Sequence, residues 1–185
     1  MNSIEGIKLL ELMYPNFLDS ENVKSIPEEY SYEELILDLN KFDSNSYKKD
    51  FKANITFGFY EGDLETLRES VKQVEEHWKA YFTEGKRIYC GYIDGKIASF
   101  CLIEDKGTYD IDRKQIKIGA PGCVGTLKEF RNMGIGLTMV GNVTQILKDE
   151  GYDYSYIHYT SVSEWYKKLG YEITLRWNSN GILEN

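Results

Sequence analysis

The sequence is poor in the residues that form disulfides and bind metals. Its 185 residues include three cysteines and two histidines, and Cys90, Cys101 and Cys123 form no CxxC pair. An odd number of scattered cysteines argues against a disulfide framework or a zinc site, and two histidines cannot supply a multi-histidine metal centre. We therefore predict a cytoplasmic protein with no metal, in which reduced cysteines act as small apolar core residues.

The sequence also lacks an apolar run of about 18 residues, the length that a membrane-spanning helix needs. Its first residues do not have the basic region and apolar core of a signal peptide. The net charge of −8 disfavours nucleic acid and anionic membranes as binding partners. We therefore expect neither a nucleic-acid partner nor a membrane partner.

The negative charge is concentrated near the N-terminus. Residues 1–50 contain eleven acidic residues and five lysines. Such an excess is typical of a solvated face, although it would also attract a cationic substrate. The polar, turn-rich stretch DSNSYKKD at 43–50 is the best boundary in the chain. We therefore predict that residues 1–50 form an acidic N-terminal extension, which packs on a main domain of residues 51–185.

The periodicity of apolar residues predicts an α/β fold, in which a mixed sheet has helices on its faces. Near the N-terminus, IKLLELM fits either a strand or a short helix. The stretch SYEELILDLNKF predicts a helix, with Ser31 and Glu34 spaced as a capping box. Further along, Asp63 predicts the start of a long helix whose apolar stripe reaches Tyr81.

The central part of the chain carries strong turn signals. The pair Asp94-Gly95 predicts a two-residue hairpin turn, and DKGTYDIDRKQ at 105–115 predicts a loop. The strand that follows is interrupted by glycine and proline before Cys123, which indicates a bulge. Ser161 and Glu164 predict a second capping box, which would start a short helix.

Residues 131–136 read RNMGIG, with two glycines where a strand pattern gives way to a helix pattern. The start of a helix has unpaired N–H groups and partial positive charge, so it can bind phosphate. Glycine lets a phosphate approach the backbone, and Arg131 adds a fixed positive charge. The alternative to a phosphate-binding loop is a tight strand-to-helix turn with a solvent-facing arginine. Binding of ATP is less favoured, because no P-loop Ser/Thr follows the glycines.

Two segments together resemble the GNAT acyltransferase superfamily. VGTLKEFRNMGIG at 124–136 resembles the pantetheine and pyrophosphate motif of that family, and SEWYKKLGYE at 163–172 resembles its second signature. The resemblance covers about residues 54–177. It implies a mixed, mostly antiparallel central sheet with helices on both faces. It also implies two central parallel strands that splay apart to hold acyl-CoA.

The resemblance assigns site residues as well. The cofactor-binding residues that it implies are Val124, Gly125, Thr126, Arg131, Asn132, Met133, Gly134, Ile135, Gly136 and Leu137. Tyr166 matches the family's usual general acid, and a strand N–H of Val124 or Thr126 would stabilise the oxyanion. The general base is open, because no carboxylate lies between Ile116 and Thr126. His158 is one candidate, Glu104 is a weaker one, and a water chain would replace both.

We therefore predict an enzyme, an acyl-CoA-dependent N-acyltransferase that works by direct attack of the amine. Acetyl-CoA is the favoured acyl donor, used as a cosubstrate without a metal. The acceptor would be a small-molecule or protein amine, and the acidic N-terminal residues favour a cationic one. The protein would be a monomer or a homodimer. The alternative is a non-catalytic acyl-CoA-binding or regulatory module on the same fold.

Overall fold

The computed structural model describes residues 3–47, 49–51, 54–111 and 113–183. No helix in these ranges is long and apolar enough to cross a membrane. The α-helices are α1 Ser3–Met13, α2 Glu21–Lys24, α3 Leu64–Lys72, α4 Ile135–Asp149 and α5 Ser163–Tyr166. The strands are β1 Tyr32–Asp38, β2 Ile55–Phe59, β3 Arg87–Ile93, β4 Lys96–Ile111, β5 Lys114–Thr126, β6 Tyr154–Thr160, β7 Glu172–Asn178 and β8 Gly181–Leu183.

The strands form one sheet in the order β2-β3-β4-β5-β6-β1-β7-β8. Every neighbouring pair is antiparallel except β5 and β6, which are parallel. Successive side chains of a strand point to opposite faces, and the core follows this rule. On β6, Ile157 packs in the cluster that contains the α4 residues, whereas Tyr156 packs with Leu9 of α1. Helices therefore cover both faces, as the sequence predicts.

The parallel strands β5 and β6 separate along their length. They are paired only at Ile118–Tyr154 and Gly119–Ser155, although β5 continues to Thr126. The register of β4 and β5 also shifts opposite residues 122–125, where Cys123 has a φ of 47°. A bulge is therefore present where glycine and proline interrupt the strand pattern. Past Gly119 and Ser155 a gap opens between these two central strands, and the bulge lies beside it.

The segment SYEELILDLNKF is a strand, so the predicted helix with a capping box at Ser31 and Glu34 is wrong. Residues 32–38 form β1, which lies inside the sheet between β6 and β7. A strand that is covered on both faces has a continuous apolar run, and the run Leu35–Leu37 also fits a helix. The first 50 residues thus contribute a strand to the sheet. The domain boundary at residue 50 stays a prediction, and residues 48, 52 and 53 beside it lie outside the described residues.

Two other predicted helices differ from the structure. The helix after Asp63 ends at Lys72, and a 3₁₀ helix covers Glu76–Tyr81. The apolar stripe continues across this break, because Val74 and Trp78 still pack against the cluster of Leu67 and Val71. The stripe alone therefore overestimated the length of the helix.

The predicted capping box at Ser161 is also wrong. Helix α5 begins at Ser163 after Val162, which makes no side-chain cap hydrogen bond. Instead, the Thr160 hydroxyl accepts the Val162 N–H at 3.2 Å, so this side chain orders the turn.

The predicted loop at 105–115 is instead the end of a long hairpin. β4 runs to Ile111 and β5 starts at Lys114, while residue 112 lies outside the described residues. The predicted hairpin turn is confirmed, since Asp94 and Gly95 have φ values of 49° and 74°. IKLLELM, which fitted a strand or a helix, is helical as part of α1.

After β1 the chain runs along α4 towards the glycine loop. At the C-terminal part of α4, the Lys148 ammonium donates to the Phe42 carbonyl at 2.7 Å. Near the middle, Tyr47 lies over Gly141, where a Cβ would be 2.2 Å from its ring. At the N-terminal end, the Lys49 ammonium donates to a carbonyl of the RNMGIG loop. The N-terminal segment is thereby fastened to the helix that carries the candidate site.

Candidate active site

The RNMGIG loop leads into the first turn of α4. Gly134 is the N-cap, with a φ of 87°, and it makes no side-chain cap hydrogen bond. The N–H groups of the first helical turn have no partner within a helix, so they are open to a ligand. The chain is also tight here, because a Cβ at Gly136 would lie 2.5 Å from the Thr126 hydroxyl. Glycine thus keeps a concave, donor-rich cradle free of side chains.

Cationic side chains border this cradle. The Arg131 side chain donates from Nε to the Thr126 carbonyl at 3.1 Å, which fixes the arginine beside the loop. The Lys49 ammonium lies 2.9 Å from the Met133 carbonyl oxygen and close to Gly134. Sequence reasoning missed Lys49, since it is 84 residues away from that carbonyl and no local pattern marks it.

A cleft of about 530 Å³ extends from the cradle. Eight of the ten predicted cofactor-binding residues line it: Val124, Gly125, Thr126, Arg131, Asn132, Gly134, Gly136 and Leu137. Met133 and Ile135 do not line it, because Met133 is exposed and Ile135 is buried in the core. The other wall includes Val162, Trp165, Tyr166 and Lys168. The two segments that resemble family motifs therefore face each other across one cleft.

Tyr166 lies at the end of α5, at the boundary between core and cleft. It is 6% exposed, and its ring packs against the rings of Trp165 and Tyr171. Burial raises the pKa of its phenol well above the ordinary value. The phenol is therefore protonated at neutral pH and able to donate. The same packing also fits a purely structural tyrosine.

His158 does not line this cleft. Its Nδ1 lies 2.9 Å from a carboxylate oxygen of Glu34, which is fully buried. The imidazole stacks on Tyr14 at 4.0 Å between ring centroids, and Phe17 meets its edge at 4.6 Å. His158 and Tyr156 are two residues apart on β6, so both point to the α1 face of the sheet. Of the two predicted catalytic residues, the structure thus brings only Tyr166 to the cleft.

Glu104 lies on the same face as His158, on the other side of the gap. It reaches over Gly122 of β5, where a Cβ would be 2.3 Å from its carboxylate. The Lys106 ammonium is 3.0 Å from that carboxylate and 5.5 Å from the Tyr14 ring centroid. A chain of contacts therefore runs from Glu104 through Lys106 and Tyr14 to His158. We call the α1 side of the gap, where these four residues lie, the second mouth of the gap, and the sequence indicated it only in part.

The cysteines are free thiols, and Cys123 lies at the bulge of β5. Burial raises the pKa of Cys90 and of Cys123 to about 12, and that of Cys101 well above its ordinary value. At neutral pH these groups are thiols rather than nucleophilic thiolates. In the described part of the chain, no three His, Cys, Asp or Glu side chains are grouped to hold a metal ion.

Comparison with known proteins relates the chain to one class of transferases. No family model matches the sequence. An uncharacterized N-acetyltransferase of Chlorobaculum tepidum is 28% identical over 120 residues, which cover 65% of this chain and 66% of that protein.

Solved structures agree at the level of the fold. The GCN5-related glucosamine N-acetyltransferase region of a fungal multi-domain GH3 β-N-acetylglucosaminidase has a TM-score of 0.65 at 18% identity, over 78% of this chain and 20% of that one. A GCN5-related N-acetyltransferase from Kribbella flavida has a TM-score of 0.56 at 16% identity, over 86% and 61%. The chain spans less than two thirds of the length of each of these relatives. It therefore has the fold of the GCN5-related N-acetyltransferases, the family that its glycine loop and its second motif resemble.

Proposed function

We propose that this protein transfers an acyl group, with acetyl favoured, from acyl-CoA to an amine by direct attack. The observation that carries the proposal is the cleft itself. It joins the RNMGIG cradle to Tyr166 along the end of β5, past the residues where β5 and β6 stop pairing. A phosphate-binding end and a proton donor in one cleft suit a long ligand with a pyrophosphate at one end and a thioester at the other.

The residues of the cleft divide by chemistry. Backbone N–H groups between Arg131 and Leu137 would hold the pyrophosphate, with positive charge from Arg131 and Lys49. The end of β5 would pair with the pantetheine arm as an added strand. Gly134 and Gly136 fit this role, because a Cβ would lie 3.2 Å from the Lys49 side chain at Gly134 and 2.5 Å from the Thr126 hydroxyl at Gly136, both beside the cradle.

The transfer balances with two proton movements. The acyl-CoA supplies a thioester carbonyl, and the nitrogen lone pair of the amine forms the new C–N bond as the C–S bond breaks. Tyr166, which is protonated at neutral pH, gives its proton to the leaving thiolate. The amine loses a proton to a base, and His158 is our candidate, with Glu104 as the second. Val124 is the favoured oxyanion donor, because it lies in the bulge without a β4 partner in the described register.

The acceptor is proposed to be a primary amine, either a small molecule or a protein amine. The acidic N-terminal residues favour a cationic acceptor. One structural relative is named for glucosamine N-acetyltransfer, so an amino sugar belongs among the first amines to be tested. We further propose a cytoplasmic protein that is a monomer or a homodimer, with no nucleic-acid or membrane partner.

Calorimetric titration with acetyl-CoA tests the proposal, with ATP and NAD as controls. We expect micromolar binding of acetyl-CoA alone. Thiol release from acetyl-CoA is then measured with a panel of amines: glucosamine, spermidine, lysine and a lysine-containing peptide. If the folded protein binds no acetyl-CoA, the loop is a simple turn and the proposal fails. If it binds acetyl-CoA but no amine accelerates thiol release, a non-catalytic acyl-CoA-binding module becomes the better description.

A further inference from the structure

Glu34 is a fully buried carboxylate with several hydrogen-bond donors around it. Its Oε1 accepts the Trp177 indole N–H at 2.9 Å and the Tyr159 backbone N–H at 3.2 Å. Nδ1 of His158 lies 2.9 Å from Oε2 of Glu34 and 3.1 Å from Oε1. A buried carboxylate that gathers donors in this way is satisfied as an anion, and an anion can only accept hydrogen bonds. Nδ1 of His158 must then carry the proton.

This arrangement fixes the chemistry of the other ring nitrogen. In a neutral imidazole only one nitrogen is protonated, so a proton on Nδ1 leaves a lone pair on Nε2. Among the described residues, none is within hydrogen-bond distance of Nε2 of His158, while the side chain is 22% exposed. Tyr14 and Phe17 hold the ring on one face and one edge. The free nitrogen of an oriented imidazole is therefore available to a ligand.

The backbone is distorted where the pair forms. The register of β1 with β6 shifts between Glu33 and Leu35, opposite His158 and Tyr159. Tyr159 has a φ of 55°, which is uncommon for a bulky residue and costs free energy. The shift brings Glu34 and His158 together on the α1 face. The last pair of the parallel strands is Gly119–Ser155. Three residues further along each strand are Gly122 and His158, so a continued register would place these two residues at the same level on opposite sides of the gap.

We propose that Glu34 is a positioning residue that keeps the proton of His158 on Nδ1, so that Nε2 accepts the proton of the attacking amine at the second mouth of the gap. This inference rests on the proposed function. It assigns the two mouths of the gap different tasks: acyl-CoA enters from the cleft with the glycine loop, and the amine enters from the side of His158. The charged and titratable groups around this mouth are Glu34, Tyr14, Tyr156, Lys106, Glu104 and Cys123.

The substitution Glu34→Gln separates this role from a structural one. In the variant, the carboxamide oxygen of the new Gln side chain would accept the N–H groups of Trp177 and Tyr159. The carboxamide NH₂ group would then take the position of Oε2 and face Nδ1 of His158. The NH₂ group at the nearer position, 2.9 Å from Nδ1, is a donor and favours Nδ1 as its acceptor, which moves the ring proton to Nε2 and removes the base. Packing is almost unchanged, because the two side chains have the same shape.

The chain contains a matched control. His77 is the only other histidine, and its Nδ1 lies 2.9 Å from a carboxylate oxygen of Glu75 at the surface. The His77 side chain is 95% exposed, so its pair with Glu75 does not hold the ring. Glu75→Gln thus removes a histidine–carboxylate pair of the same length without touching the gap.

The experiment measures the tautomers of both histidines by ¹H–¹⁵N correlation of the imidazoles in the full chain, before and after Glu34→Gln. We expect neutral His158 protonated on Nδ1 in the native protein and on Nε2 in the variant. For the amine with the fastest thiol release, kcat/KM should fall about 100-fold or more in Glu34→Gln and equally in His158→Gln. The acetyl-CoA Kd should be unchanged in both variants, and Glu75→Gln should have native activity.

Native His158 protonated on Nε2 would overturn the proposal, as would full turnover in Glu34→Gln with a moved proton. Full turnover in His158→Gln overturns it as well, and this test remains if Glu34→Gln does not fold. The proposed function fails in a different way, by an absence of acetyl-CoA binding or of thiol release in the native protein. In that case the role of His158 as a base falls too, whatever its tautomer.

Discussion

At the scale of single residues, burial keeps Tyr166 in the protonated form that its proposed role requires. Burial raises the pKa of the phenol, so its neutral form persists to higher pH than that of an exposed tyrosine. The group that must be protonated thus stays protonated, and activity that depends on it is present below the raised pKa. A fall of kcat with rising pH near ~10, the ordinary value for tyrosine, would contradict this environment.

Replacement of Tyr166 by Phe removes the proton donor and keeps the ring. We expect turnover to fall about 100-fold or more, because general acid catalysis typically contributes that much. The acetyl-CoA Kd should stay the same, as measured by calorimetry. An unchanged turnover would make Tyr166 a structural residue of the core edge, and a protein without turnover in either form would be a binding module.

The thiols provide a second test at this scale. Since burial raises the pKa of each of them, we expect Ellman's reagent to titrate less than about one thiol per native chain at neutral pH. All three should react after denaturation. Rapid reaction of Cys123, which lies at the bulge, would contradict the assigned environment. It would also reopen a route through an acylated cysteine instead of direct attack.

At the scale of elements, the glycine loop and α4 could be predicted from the sequence because their signals are local. Two glycines, an arginine and the apolar stripe of α4 lie within one short stretch. β1 could not be predicted, because its apolar run is equally compatible with a helix. The choice of a strand depends on β6 and β7, more than 100 residues away. The buried position of Glu34 could not be predicted for the same reason, since its spacing from Ser31 matches a helix capping box.

The two ends of α4 offer a matched pair of glycines for testing the cradle. Gly134 has a φ of 87° at the start, and Gly151 has a φ of 77° just after the end. Alanine costs roughly 1–2 kcal/mol of backbone strain at either position. At Gly134 the new methyl group would also lie 3.2 Å from the Lys49 side chain, beside the proposed pyrophosphate site. We therefore expect Gly134→Ala to weaken acetyl-CoA binding about tenfold or more, the loss of one hydrogen bond to a charged group.

Gly151→Ala should lower the thermal midpoint of unfolding by about as much as Gly134→Ala does, and it should leave the acetyl-CoA Kd unchanged. No heavy atom of its surroundings lies within 4 Å of the added Cβ. The measurements are calorimetric titration and thermal unfolding of both variants. Equal affinities in the two variants would mean that the loop does not approach the ligand closely.

At the scale of the whole molecule, the N-terminal residues are part of the sheet. Leu35, in the middle of β1, is fully buried, and the strand lies between β6 and β7. A chain that begins at residue 51 would leave β6 and β7 without the strand that joins them and would open a cavity in the core. We expect such a chain to show no cooperative unfolding transition by circular dichroism. The control is a chain that ends at residue 180, since it loses only the short edge strand β8.

A truncated chain that melts cooperatively, with a native midpoint, would contradict this view and support a separable extension. The sequence favours such a boundary, because DSNSYKKD is polar and the acidic charge stops there. The amino-acid composition of a segment indicates how exposed to solvent it is, however, and it carries no information on the order of strands in a sheet. The pairing of the first strand with the sixth and seventh is a property of the complete chain.

The position of β1 also has a consequence in time. Glu33 pairs with Thr160, so a ribosome that makes about 5–20 residues per second needs roughly 6–25 s to supply the partner of a strand already made. During that interval β1 has nothing to pair with, and neither Glu34 nor the gap has its final surroundings. Every growing chain that has not yet reached Thr160 thus lacks the second mouth of the gap. The site is one of the last parts of the protein to come into existence.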